Sequence, residues 1–236
     1  MPTIAFVSPK GGVGKTTAAF LLSTALANLY DVTLIDADPN RPILSWAKGG
    51  NTPERMTIVS DADEDTIIER IEDAAEKTAF VVVDLEGTAS KTVVYAISQA
   101  DFVVIPTQGS QLDANEASRA IRVVLQSEKM TGKRKAFAVL LTRTNSSIRA
   151  RGLAHIQKGL IDAGIPVLNT ELNERDAYKA VFSFQQTLDQ LNPSDVSNLD
   201  KARLNVWEFV HELLSRLKTE DVGTEKDNDN DVAGAA

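Results

Sequence analysis

A mostly parallel, twisted α/β sheet flanked by helices is the fold class this sequence predicts, and three observations predict it. Short apolar segments rich in Val and Ile alternate with segments of helical pattern. A glycine-rich stretch, Pro9-Lys10-Gly11-Gly12-Val13-Gly14-Lys15-Thr16-Thr17, joins the apolar run Ile4-Ala5-Phe6-Val7 to a helix-forming run. Two later apolar runs end in acids, Leu34-Ile35-Asp36-Ala37-Asp38 and Phe80-Val81-Val82-Val83-Asp84. Acids at strand ends fall where the carboxyl edge of a parallel sheet presents its ligand-binding groups.

Taken in order, strands are expected over 3–8, 32–36, 80–84, 102–105 and 136–142, with shorter ones near 57–59 and 167–168. Helices are expected over 15–29, 64–77, 91–99, 113–130, 148–163, 175–191 and 202–217. The last helix carries Val206, Trp207, Val210, Leu213, Leu214 and Leu217 along a face expected to pack on the domain. One domain over 1–218 and a disordered acidic tail over 219–236 follow from this pattern.

The 236 residues suffice for one α/β domain with a substantial core. The chain has no cysteine, which excludes disulfides, thiol catalysis and cysteine-ligated iron–sulfur clusters. No apolar run approaches the roughly 18 residues that span a bilayer, and no basic-then-apolar leader is present, so a cytoplasmic protein without membrane contact is expected. The formal charge is −8; six acids against Lys226 give residues 219–236 a net −5, leaving −3 for the rest. The folded part is therefore only mildly acidic, and any polyanion contact must come from a local patch.

The glycine-rich stretch fits the phosphate-loop pattern G-x-x-x-x-G-K-[ST] with Pro9 in the first glycine position. Gly11, Gly12 and Gly14 are expected to curl the backbone with φ > 0, turning N–H groups, that of Val13 included, toward phosphate oxygens. The helix that follows adds its positive end. Lys15 then reaches the β- and γ-phosphates, Thr16 places its hydroxyl on Mg²⁺, and Thr17 lies by the α-phosphate.

With Lys10 before the loop as well as Lys15 in it, Lys-Gly-Gly-Val-Gly-Lys-Thr-Thr resembles the deviant Walker A motif of the ParA/MinD family of P-loop ATPases. The resemblance implies a P-loop NTPase fold, ATP and Mg²⁺, and a homodimer formed with ATP, in which Lys10 reaches the partner's nucleotide. It implies that Asp38, in Asp36-Ala37-Asp38-Pro39, orients the attacking water, that Asp36 supports the Mg²⁺ shell, and that Asp84 is the Walker B carboxylate. The family commonly continues D-T-P-P, whereas this chain reads Asp84-Leu85-Glu86-Gly87. Pro106, in Ile105-Pro106-Thr107-Gln108, matches a nucleotide-side segment, and Leu140 to Asn145 falls where the family reads adenine. The Thr170 to Tyr178 segment is similar to a region of small plasmid and conjugative members.

The loop begins within ten residues of the first methionine, which resembles the short ParA type. That type binds DNA without sequence preference as an ATP dimer. Arg143, Arg149 and Arg151 are the candidates here, with Lys133, Arg134 and Lys135 adding to the same charge. The expected activity is slow ATP hydrolysis, stimulated by a ParB-like protein or cargo adaptor, that partitions or positions a cargo while the protein sits on the nucleoid. A metabolic enzyme transferring phosphate to a small molecule, similar to dethiobiotin synthetase, is the alternative; Lys10 argues against it.

Overall fold

The computed structural model describes residues 1–87, 90–145 and 151–233, with backbone alone at 111–113, 151 and 220–233. Its strands are β1 (Thr3–Phe6), β2 (Val32–Ala37), β3 (Met56–Val59), β4 (Phe80–Leu85), β5 (Phe102–Thr107), β6 (Ala136–Thr144) and β7 (Leu172–Asn173). Between and after them run α1 (Lys15–Leu26), α2 (Pro42–Ala47), α3 (Ile67–Lys77), α4 (Lys91–Gln99), α5 (Gln111–Thr131), α6 (Arg151–Asp162), α7 (Asp176–Ser183) and α8 (Leu199–Ala233).

All described strand pairs are parallel, in the order β3-β2-β4-β1-β5-β6-β7. Because helices cover both faces, the strands are apolar throughout rather than alternating. In β1, Ile4 and Phe6 face the core under α1, α2, α7 and α8. Ala5 and the following Val7 face the core under α3 to α6. Helix α1 is buried from Ala18 to Leu26, which anchors the glycine-rich loop that precedes it.

Strands at the centre of the sheet lie within two residues of expectation. The C-terminal third departs further. Val167 makes only an isolated bridge to Val139, and the last strand is Leu172–Asn173. Helix α7 stops at Ser183 rather than 191, because Gln185 adopts φ 52°. Gln185 instead holds the α2 region: its Nε2 donates to the Ser45 carbonyl at 3.0 Å, and its carbonyl accepts from Asn51 Nδ2 at 2.8 Å. On α8, Val206, Phe209, Val210, Leu213 and Leu217 are buried, while Trp207 stands off the packed face with 37% of its surface exposed. The helix runs past the 219 boundary to Ala233.

The six-residue helix α2 was not expected. Pro42 opens it, and the buried Asp36 carboxylate accepts the N–H groups of Ile43 and Leu44 at 2.9 and 3.0 Å. Trp46 fastens it to the core, with Nε1 donating to the Val181 carbonyl at 2.9 Å and the ring meeting Phe20 edge-on at 4.6 Å. Trp46→Ala is expected to lower the unfolding free energy by about 3–5 kcal/mol, read from urea titration. A loss below about 1 kcal/mol would show that α2 docks without it.

Candidate functional site

The central strand β1 is flanked by β4 and β5. The chain leaving β1 crosses toward β2, while the connection leaving β4 crosses over β1 to β5. That divergence opens a crevice at the carboxyl edge of the sheet, where α/β folds bind ligands, and residues 8–14 lie in it. Gly12 has φ 75°; Gly14 has φ 95° and caps α1 in the left-handed region. Gly11 is not left-handed, contrary to expectation, and a Cβ there would meet nothing within 4 Å.

The carbonyl side of the loop is tied down. Gln108 Nε2 donates to the Gly12 carbonyl at 3.1 Å, and Thr142 Oγ1 donates to the Val13 carbonyl at 2.7 Å. The Gly14 carbonyl accepts the Ala18 N–H at 2.9 Å, and Val13 is buried. Among the described residues α1 has no side-chain N-cap and no acid in its first turn. Its first amides and its dipole are therefore suited to an anion. Lys10, Lys15, Thr16 and Thr17 are all half-buried around this turn.

Asp84 lies at the centre of the site. It is fully buried, and neither carboxylate oxygen has a hydrogen-bond partner among the described residues. Burial raises its pKa to about 7, against lowering by the Thr16 hydroxyl and the Lys15 ammonium. Thr16 approaches the carboxylate without completing a hydrogen bond of good geometry. Asp36 pairs with Asp84 across the two strands. Its Oδ2 is committed to the α2 amides, while Oδ1 is buried and unpartnered among the described residues. Burial is also the main reason its pKa is raised. Asp38 lies half-exposed at the crevice mouth, its Oδ1 accepting from the Asn40 amide and side chain at 2.8 and 2.9 Å.

The residues present fit Mg²⁺ bound together with phosphate oxygens. Asp84 offers two buried, unused acceptor oxygens beside the Thr16 hydroxyl, and Mg²⁺ takes few protein ligands when phosphates and water supply the rest. Among the described residues no group of three acidic or histidine side chains could form an all-protein cage.

On the other side of α1 is a cavity of about 300 Å³, bordered by Thr17, Arg143, Asn173, Arg175, Tyr178 and Phe182. The register of β6 on β7 shifts between Thr142 and Thr144, and Arg143 takes φ 52° there. That kink carries Arg143 to the cavity edge. Asn173 is fixed by its Nδ2 donating to Thr144 Oγ1 at 2.9 Å and its N–H donating to Asn205 Oδ1 at 3.1 Å. Arg175 Nη2 donates to Asn173 Oδ1 at 3.1 Å, while its Nε is buried without a partner. Burial pushes the Tyr178 phenol up, so it stays a neutral donor.

Several expected residues stand elsewhere. Pro106 is buried in β5 opposite Leu140 and borders no described cavity. Its missing N–H costs no bond to β1, whose pairing ends at Val104. Gln108, two residues on, makes the contact with the loop. Arg149 lies outside the described residues, and Arg151 opens α6 with its side chain outside them. The expected single basic patch is split: Lys133 and Arg134 stand at the far end of β6 from Arg143, about 30 Å away at ~3.3 Å per residue. Lys135 is buried, its Nζ donating to the Ser98 and Ala100 carbonyls at 2.6 and 3.0 Å. It closes the C-terminus of α4 instead of facing solvent. Glu86 is exposed on a second cleft shared with Asp38 and Arg41.

The family model described as VirC1 protein matches residues 1–220. A protein named ParA from Rhizobium radiobacter is 37% identical over 218 residues, covering 92% of this chain and 98% of its own. The chain belongs to the VirC1 family of ParA/MinD-type P-loop ATPases. The maintenance of carboxysome distribution protein A of Halothiobacillus neapolitanus is 28% identical over 179 residues, 75% of this chain and 82% of its own. Among solved structures, a Cyanothece McdA complexed with ATP matches with a TM-score of 0.69 and 18% identity over 88% of this chain and 95% of that one. The fold and family expected from the loop are therefore those found. No described helix is long and apolar enough to cross a membrane.

The electrostatics of Asp84 give a pH dependence. A carboxyl whose folded-state pKa lies above its unfolded value binds more protons folded than unfolded between the two, so stability falls as pH rises through that window. For Asp84 the window runs from 3.8 to about 7, and Asp36 has the same sign. Nucleotide-free protein is expected to lose thermal stability from about pH 4 to about pH 7, and Asp84→Asn to flatten that loss. Parallel Tm profiles for the two proteins would show that Asp84 holds no uncompensated charge.

Proposed function

We propose that this chain is a partition or positioning ATPase, in which ATP and Mg²⁺ drive formation of a homodimer that binds DNA without sequence preference. A partner protein, ParB-like or a cargo adaptor, then stimulates a slow hydrolysis. The observation that carries this reading is the left-handed Gly12 and Gly14 turn opening α1 beside the buried, unpartnered Asp84. Family membership over residues 1–220 supports the ATPase assignment, and the relatives named ParA and maintenance of carboxysome distribution protein A support a partition or positioning role.

The roles of the chain's own residues follow. The loop amides and Lys15 hold the β- and γ-phosphates, and because the loop carbonyls are already bound, this donor set is arranged before the ligand arrives. Asp84 and the Thr16 hydroxyl would hold Mg²⁺, with Asp36 behind, and the metal would supply neutralisation of phosphate charge. Thr17 lies by the α-phosphate. Asp38 at the crevice mouth orients water for attack on the γ-phosphate. Lys10 completes the site only across the dimer, which keeps solitary turnover low and makes bound ATP a timer. A cytoplasmic protein that joins the nucleoid in its ATP form is the corresponding location.

The cavity beside Thr17 takes the nucleoside end, with Asn173 presented as a fixed amide to the base edge. Asn173→Ala is expected to weaken ATP binding by roughly 5- to 100-fold, leaving inorganic triphosphate affinity unchanged. Equal losses for both ligands would place Asn173 outside the base contact.

Light scattering with ADP and with ATP tests the switch. Wild type is expected as a monomer with ADP and a dimer with ATP, Asp38→Ala as a trapped dimer, and Lys10→Ala as a monomer that still binds ATP. Lys15→Ala should lose ATP affinity by about 30-fold or more. A monomer under every condition would remove the role of Lys10 and the timer with it.

A further inference from the structure

Helix α5 has a face that the nucleotide site does not use. Ala117, Ala120, Ile121 and Val124 bury one side of it. The opposite side presents Asn115, Arg119, Arg122, Gln126 and Lys129, all exposed, at helical spacings of three and four that keep them on one stripe. Lys133 and Arg134, also exposed, follow the helix end in the chain.

Residues 114–135 carry five exposed cations, besides the buried Lys135, against two carboxylates, in a chain whose net charge is −8. Both carboxylates are engaged. Glu116 pairs with Arg119 at 2.9 Å, and Glu128 Oε1 accepts the Lys135 N–H at 2.8 Å. Arg122, Lys129, Lys133 and Arg134 make no ion pair among the described residues. From Arg119 to Lys129 the stripe runs about 15 Å, enough to meet more than one phosphate of a duplex backbone.

We infer that this α5 stripe is the phosphate-backbone contact for duplex DNA. The inference rests on the DNA-binding reading above and gives it a surface, in place of the split patch around Arg143. The chemistry fits a nucleic-acid backbone: cations interleaved with amide side chains offer charge and neutral donors to phosphate oxygens, with no base-reading element required. An anionic membrane fits less well, because the apolar face of α5 is spent on the core and, among its described residues, Leu125 and Met130 are the only large apolar side chains exposed, at the stripe's edges.

The test is ATP-dependent retention on a random-sequence duplex across a salt series, for wild type, Arg122→Glu/Lys129→Glu, and the charge-matched control Lys48→Glu/Lys201→Glu. Light scattering checks that ATP-dependent self-association is kept. Should the reversal perturb it, Arg122→Gln and Lys129→Gln, which preserve size and polarity, carry the readout. The stripe variant is expected to bind about 30-fold more weakly at low salt, with a log K against log salt slope shallower by about 2. The control should stay near wild type.

If wild type with ATP is not retained at all, the DNA part of the proposed function falls and this surface with it. If wild type is retained and the stripe variant matches the control in affinity and slope, the surface assignment alone is overturned. Loss of binding to anionic phospholipid vesicles with DNA retention intact would overturn it too, and give the stripe to a membrane.

Discussion

A carboxylate at the centre of the sheet that no described residue satisfies is the constraint on which the site depends. Asp84 cannot relax toward solvent, because β4 is paired to β2 on one side and β1 on the other, with helices over both faces. Its ionised form is therefore costly until a cation reaches it. Lys15 and Thr16 reduce that cost in part. Whatever completes the compensation binds only the folded state, so ligand binding and stability are linked at this residue.

The loop shows a complementary economy. Its carbonyls at Gly12, Val13 and Gly14 are each bound from behind by Gln108, Thr142 and Ala18. The amide side is left as the free face. A loop held by its acceptors presents donors in fixed positions, which is the arrangement that stabilises phosphate charge without reorganisation at the moment of reaction. Thr142 also borders the cavity proposed for the nucleoside. One strand end therefore supports both the phosphate loop and that cavity, and displacement of β6 would disturb the two together.

Much of this was legible in the sequence, because the central strands are continuous apolar runs and the phosphate site is contiguous in the chain. Gly12, Gly14, Lys15 and Thr16 lie in one short stretch, and Asp36 and Asp84 each end an apolar strand, where a parallel sheet presents its ligand-binding groups; their metal roles come from the resemblance those motifs carry. The cavity beside Thr17 is different. Asn173 is positioned by Asn205 on α8, and Arg175 by Asn173, contacts between segments that no local pattern announces. Arg143 turns to the cavity through a left-handed residue inside a strand, against the usual preference of a bulky side chain. Lys135 reads as surface charge until α4 is seen to end above it. Of the missed elements, α2 alone left a signal: Pro42 a few residues after a strand-ending acid.

The acidic balance of the whole chain does not argue against a polyanion surface, because the charges are segregated on one face of the sheet. Helix α3 carries Glu69, Glu72, Asp73 and Glu76, and α4 packs between it and α5. Two helix-to-helix steps of about 8–10 Å each put the acidic and basic stripes some 20 Å apart. The Debye length at physiological salt is about 8 Å. At that ionic strength each stripe acts almost alone, and α5 presents its local charge rather than the protein's net charge. At low salt the acids on α3 regain their reach and offset part of the attraction. The salt dependence of binding should therefore bend below the straight line that phosphate contacts alone would give, and the bend would come from α3 rather than from α5.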